Sequence, residues 1–318
     1  MRKALALVSL TSLLAVSACS GPSEEAMQIS GSATVAPITK AIARQGRFDV
    51  SVEAEGTTDG FSRFCAGETV INNASTAISK EMMDECDSND IDYIELPVGL
   101  DALTVVRNEK NTFATDITME ELKTIFAPDS KVSKWSDVRD GWPDEDLNIY
   151  GRGEGSGTFE TFTQVVNGEV GAIRKDYEVT DDMAELATWI AEDEHSIGFM
   201  GIGNYLAADG EQRDLITNLA IDGVMPSLQE TQSGNYPMAR PLFIYVSAEA
   251  AEKDEKVAEF VDYYLDYADE VLPRVRFYAF DDDVYELSKQ RWESRTTGAM
   301  FDGDQFGTDV VEAMQKTS

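Results

Sequence analysis

The sequence predicts an α/β fold with a ligand cleft at the carboxyl ends of its strands. Three observations carry this. Four turns rich in Ser, Thr and Gly each follow a strand-like run, and most of them precede a helix. The chain is 42% apolar and about 300 residues follow its N-terminal segment, which calls for two lobes or one large domain. A strand-rich passage from Ile94 to Val106 suits a crossing between lobes.

Taken in order, Met1-Arg2-Lys3 is a short positive region, and the apolar run Ala4 to Ala18 is too short to span a membrane stably. Together they read as an export signal. The end of that run, Val16-Ser17-Ala18-Cys19, resembles the lipobox of bacterial lipoproteins, which implies removal of residues 1–18 and diacylation of Cys19. An ordinary cleaved signal with Cys19 incidental is the alternative. Residues 19–26 are a small, polar tether. No later stretch reaches 18 apolar residues, so membrane attachment is expected through lipid alone.

Met27 to Gly31 ends a strand, and Ala36 to Arg44 is a helix with Pro37 in its first turn, where the missing N–H costs nothing. Ser32-Ala33-Thr34-Val35 joins them. Phe48 to Ala54 alternates as a strand and Glu55 to Gly60 turns into a helix at Phe61 to Cys65. Val70 to Ile78 is a strand ending in the polar run Asn73 to Ala77. Thr118 and Glu121 have capping-box spacing and open a helix that ends near Ala127-Pro128. Trp135, Trp142 and Pro143 mark an irregular segment held by aromatic packing. Leu147 to Tyr150 is a short strand, and a helix begins at Phe159. Met183 to Ile190 is helical, and Ser196 to Tyr205 is a strand followed by a glycine turn. Tyr236 to Val246 is an extended return path, whose prolines favour an edge or crossing strand over a central one. Val257, Phe260, Val261, Tyr264, Leu265 and Ala268 recur at helical spacing, so one long amphipathic helix is expected from about Ala248 to Val271. The remainder is expected to pack back on the first lobe.

The turn Gly151-Arg152-Gly153-Glu154-Gly155-Ser156-Gly157-Thr158 combines four glycines, two hydroxyls and an arginine at a helix N-terminus. Unpaired N–H groups and the helix dipole favour an oxyanion there, and Arg152 adds a bidentate donor. Ser or Thr before a helix is also an ordinary cap, and the turn alone leaves both readings open. It is not a nucleotide P-loop, since the spacing and the lysine are missing. With no basic residue in the other three turns, Arg152 is the only full positive charge assigned to the site.

The chain carries 26 basic and 59 acidic residues, a net charge of −33, or −35 once Arg2 and Lys3 leave with the signal. This excludes general nucleic-acid binding and argues against attraction to anionic lipid surfaces. An anionic ligand must be won by local donors. Beyond Cys19 the cysteines are Cys65 and Cys86, and an even pair in an exported chain points to a disulfide worth roughly 3 kcal/mol. Two free thiols are the alternative. A zinc site fits poorly, because His195 is the single histidine and no Cys-x-x-Cys pair exists. No metal or cofactor is expected, and His195 is expected to be structural or exposed.

Several motifs stand in a recognisable order: Gly31-Ser32-Ala33-Thr34-Val35-Ala36-Pro37, Glu55 to Phe61, Phe64 to Thr69 with Asn73-Ala74-Ser75, Glu95-Leu96-Pro97-Val98, Gly155 to Phe159, and Tyr236-Pro237 through Arg240-Pro241-Leu242-Phe243. In these the chain resembles the periplasmic phosphate-binding proteins that serve ABC-type phosphate importers. The resemblance implies a type II periplasmic-binding-protein fold, two α/β lobes joined by two crossing strands. Lobe 1 would be 27–103 plus 237–318, and lobe 2 would be 104–236. Phosphate would be held by Ser32, Thr34, the Val35 N–H, Thr57, Ser75, Thr76, Arg152, Ser156, Gly157 and Thr158. The expected partners are inorganic phosphate and an ABC permease, with the protein a monomer.

Thr76 departs from the family, whose members carry aspartate or arginine there; the aspartate accepts the phosphate proton and so excludes sulfate. Asp59 is the candidate to replace that acceptor, and Glu154 to brace Arg152. Two alternatives stay open: an exported phosphohydrolase with Ser156 or Thr158 as nucleophile, and a phosphate-sensing or adhesive surface protein on the same fold. The first lacks a histidine base, metal cluster or nucleophile elbow in its sequence.

Overall fold

The computed structural model describes residues 26–154, 156–180, 182–301 and 309–316. The expected signal 1–18, Cys19 and most of its tether lie outside the described residues, as does Gly155 of the loop. The chain begins with three parallel strands, β1 (Met27–Gly31) flanked by β2 (Val50–Val52) and β3 (Ile71–Ala74). Between them run α1 (Ala36–Gly46) and α2 (Thr57–Cys65), followed by α3 (Lys80–Ser88). Ile38 and Ile42 on α1 and Phe61 and Phe64 on α2 fall on one face of each helix and are buried. Burying each such side chain contributes about 1.5–3 kcal/mol. The expected disulfide is present, joining Cys65 on α2 to Cys86 on α3.

β4 (Tyr93–Asn108) is buried along all 16 residues. From Ala102 onward the chain builds a second core. β5 (Asp116–Ile117) leads to α4 (Met119–Phe126), opened by the expected capping box: Glu121 N donates to Thr118 Oγ1 at 3.1 Å and Thr118 N to Glu121 Oε2 at 2.9 Å. Trp135 is fully buried and meets Phe113 and Trp142 edge-on. There follow β6 (Asn148–Gly151), α5 (Gly157–Asn167), β7 (Glu178–Val179), α6 (Met183–Glu192), β8 (Ser196–Gly201), α7 (Ile202–Leu206), α8 (Gly210–Arg213), β9 (Ile216–Asn218), β10 (Ala220–Ile221) and α9 (Leu228–Gln232). The stretch after β8, expected as a glycine turn, is the helical turn α7 because it buries Ile202 and Tyr205 on one side.

β11 (Ala239–Ser247) returns between β3 and β4, antiparallel to both. The main sheet therefore runs β2-β1-β3-β11-β4-β8-β6-β7, with β9 also on β4, while β5 and β10 form a separate pair. The return path is an interior strand rather than an edge. Pro241 is tolerated because β3 pairs only with Phe243–Val246, and the register with β4 shifts between Leu242 and Phe243. The helix expected over 248–271 is two, α10 (Ala248–Lys253) and α11 (Glu255–Val271). Asp254 leaves helical geometry at φ −114° and caps α11 by accepting from Lys256 N at 2.9 Å. α12 (Asp282–Glu293) and α13 (Val310–Lys316) add Val284, Trp292 and Met314 to the first core. That core draws on residues 29–100 and 242–314, and the second on 102–239.

Candidate functional site

Three turns of the first core are tied to one another. Gly31 ends β1 at φ +112°, and a Cβ there would overlap the Asn73 carbonyl oxygen, so only glycine lets this turn approach β3. Ser32 N donates to Asn73 O at 2.8 Å, and Ser32 Oγ accepts from Thr34 N at 3.1 Å. Ser32 is thus buried and occupied within its own turn. Val35, the residue before α1, is also buried, whereas Thr34 is half-buried. Gly56 N donates to Gly31 O at 3.1 Å, joining the second turn to the first. Thr57 Oγ1 accepts from Ser75 N at 3.2 Å and shares a hydrogen bond of 3.2 Å with Ser75 Oγ, joining the third.

The third turn rests on Arg240, which donates from Nη1 to Ser75 O at 2.8 Å and from Nε and Nη2 to Asp101 Oδ2 at 3.3 and 3.1 Å. Arg240 is 4% exposed. Burial disfavours its charged form and lowers its pKa, while Asp101 opposes that shift. Arg240 corrects the expectation that Arg152 is the only cation at the site. Its sequence signal is partial: Arg240 is the one charged residue of β11, and only the pairing of β11 with β4 sets it opposite Asp101.

The facing wall comes from the second core. β6 ends at Gly151, Arg152 is half-buried, and its carbonyl accepts from Tyr177 Oη at 2.8 Å. Ser156 is buried at the start of α5, and its hydroxyl makes no cap hydrogen bond to the helix. A Cβ on Gly157 would overlap Thr34 Oγ1, so α5 begins in direct contact with the first turn of the other core. Glu154 does not brace Arg152. It is largely exposed and pairs with Lys175 Nζ at 3.0 Å, because its side chain leaves the loop on the solvent side.

Two clefts flank this contact. One, of about 330 Å³, is lined by Thr34, Asp101, Arg152, Ser156, Gly157 and Thr158, among others. The other, of about 350 Å³, is lined by Thr57, Asp59, Ser75, Thr76 and Arg240, with Glu160 of α5. Asp101 lines the first and its partner Arg240 the second. Ser32 and Val35 line neither. Asp59 is exposed on α2, and Thr76 is half-buried. His195 stands just before β8, its carbonyl accepting from Trp135 Nε1 at 3.0 Å, and lines neither cleft. Among the described residues no cluster of His, Cys, Asp or Glu could hold a metal ion. Hydroxyls, a helix N-terminus, and the guanidiniums of Arg152 and Arg276 in the first cleft and Arg240 in the second form a donor-rich surface suited to an oxyanion.

A PBP superfamily domain model matches residues 17–267. Protein SphX of Synechocystis sp. is 37% identical over 303 residues, covering 92% of this chain and 90% of that protein. Phosphate-binding protein PstS of Staphylococcus saprophyticus is 28% identical, covering 78% of each chain. A crystal structure described as a possible phosphate binding protein from Planctomyces limnophilus superposes with a TM-score of 0.77 at 35% identity, covering 85% of this chain and 98% of that one. An ABC-type phosphate transport receptor from Vibrio cholerae, at 21% identity and a TM-score of 0.66, shares the fold over 79% of this chain and 99% of its own. The chain belongs to the PBP superfamily and has the type II periplasmic-binding-protein fold.

Proposed function

We propose that the protein captures inorganic phosphate outside the cytoplasmic membrane and delivers it to an ABC importer. The observation that carries this reading is the contact of Gly157 with Thr34, which sets an arginine-bearing helix N-terminus of one core against the hydroxyl turns of the other. Phosphate oxygens would accept from Thr34, Thr57, Ser75 and Thr76 on one side and from Arg152, Ser156, Gly157 and Thr158 on the other. Residues 27–103 plus 237–318 and residues 104–236 act as lobes that close over the anion by flexing β4 and β11, a shift in an open–closed equilibrium.

The net charge of −33 repels phosphate at long range. That repulsion is screened over about 8 Å at physiological salt, while each charge-assisted hydrogen bond in the cleft contributes about 1.5–3 kcal/mol, so the local donors win. Similarity to the phosphate-binding protein PstS of Staphylococcus saprophyticus and to the possible phosphate binding protein of Planctomyces limnophilus supports the same ligand. The protein binds without turning its ligand over, as a monomer held at the membrane through lipid on Cys19.

Titration calorimetry with phosphate, arsenate and sulfate tests the reading. Saturable binding of one phosphate per chain with a Kd well below millimolar is expected. The absence of phosphate binding below millimolar concentration overturns it.

A further inference from the structure

We propose that Asp101 is the residue by which the site distinguishes a protonated oxyanion from an unprotonated one, an inference that rests on the phosphate-binding reading. Asp101 lies on β4 directly opposite Arg240 on β11, 9% exposed. Both of the Arg240 donors that reach it go to one oxygen, Oδ2, at 3.3 and 3.1 Å. Oδ1 makes no hydrogen bond among the described residues, and the residue lines the same cleft as Thr34, Arg152, Ser156 and Thr158.

Those four residues offer donors to an anion, and Asp101 adds a carboxylate beside them. A carboxylate repels any oxyanion, and toward a fully ionised one no hydrogen bond offsets that repulsion. Against an oxyanion that still holds a proton, the same oxygen accepts a hydrogen bond. Hydrogen phosphate has that proton near neutral pH, and sulfate has none. Arg240 holds the carboxylate in one orientation and offsets its charge, so Asp101 can stand at the cleft without being an unpaired buried ion. Asp59, the other carboxylate considered for this role, is exposed on α2 and lines the neighbouring cleft.

The test is calorimetric titration near neutral pH, with phosphate and with sulfate, of the wild type, Asp101→Asn and Asp59→Asn. The wild type is expected to prefer phosphate by about 100-fold or more, as a site built around one ligand hydrogen does. Asp101→Asn is expected to narrow that preference by about 10-fold or more, through tighter sulfate and weaker phosphate binding. Asp101→Asn leaves Arg240 buried beside a neutral side chain, so the double variant Asp101→Asn/Arg240→Gln, which removes both charges, is titrated alongside and should show the same narrowing. Phosphate binding with an unchanged ratio in both Asp101 variants, or a narrowing produced by Asp59→Asn in their place, overturns the assignment of Asp101 and leaves the phosphate reading standing. A wild type that binds no phosphate overturns the reading itself.

Discussion

The wall contributed by the first core is bonded to itself at every step: Gly56 to Gly31, Thr57 to Ser75, Ser75 to Arg240, and Arg240 to Asp101 on the crossing strands. The wall contributed by the second core is a loop between β6 and α5, with a half-buried Arg152 and a Ser156 hydroxyl that does not cap its own helix. Each wall carries an arginine, and the two are not equivalent. Arg240 uses its donors to hold the turn at Ser75 in place, whereas Arg152 belongs to the loop after β6 and lines the first cleft. On the proposed phosphate reading, this difference divides pre-organisation on one side from ligand capture on the other. Replacing Arg240 in the first wall should therefore act mainly on stability, and replacing Arg152 in the second mainly on affinity.

Arg240→Met breaks the comparison most severely. It leaves Asp101 without its buried partner and should cost about 3–5 kcal/mol of stability in urea denaturation. Glu95 sharpens the comparison by pH. Its carboxyl is fully buried behind the first wall, accepting from Tyr245 Oη, which in turn accepts from Ile78 N at 2.9 Å just past the third turn. Burial pushes its pKa from 4.5 up to about 7, against the hydrogen bonds from Tyr245 and Met300. Between those values the unfolded chain releases this proton and the folded chain keeps it. Stability from this group is thus lost as pH rises from 4.5 to 7, by about 3 kcal/mol in total. Glu95→Gln should remove that part of the pH dependence, and urea midpoints at about pH 5 and pH 8 for both proteins check it. An identical pH slope in the two would contradict the role given to Glu95. In the second wall, Arg152→Ala should weaken phosphate binding by roughly 1.5–3 kcal/mol in calorimetry. Its effect on stability should be smaller than that of Arg240→Met.

Much of the fold is legible in the sequence because its signals are local. The Thr118–Glu121 capping box, Pro37 in the first turn of α1 and the stripe of α11 each depend on a few neighbouring residues. The misreadings arise where tertiary context or a local cap overrides the pattern. Pro241 reads as an edge marker, yet it sits on an interior strand because the β3 ladder stops two residues away. Asp254 divides an amphipathic pattern that periodicity alone runs together. At the site, the hydroxyl turns and the Arg152 loop are marked by composition. The Asp101–Arg240 pair joins positions 139 residues apart, and only the pairing of β4 with β11 brings them together. The Glu154 expectation failed for a related reason, since sequence proximity to Arg152 does not determine which side of the loop a side chain leaves.

The central claim, that one anion is held between the two walls, is tested most directly by a crystal structure of the protein grown with phosphate. The claim predicts a single phosphate bonded at once to Thr34, Thr57 or Ser75 from the first core and to Arg152, Ser156 or Thr158 from the second. Phosphate bound to one wall only, or to neither, would contradict it.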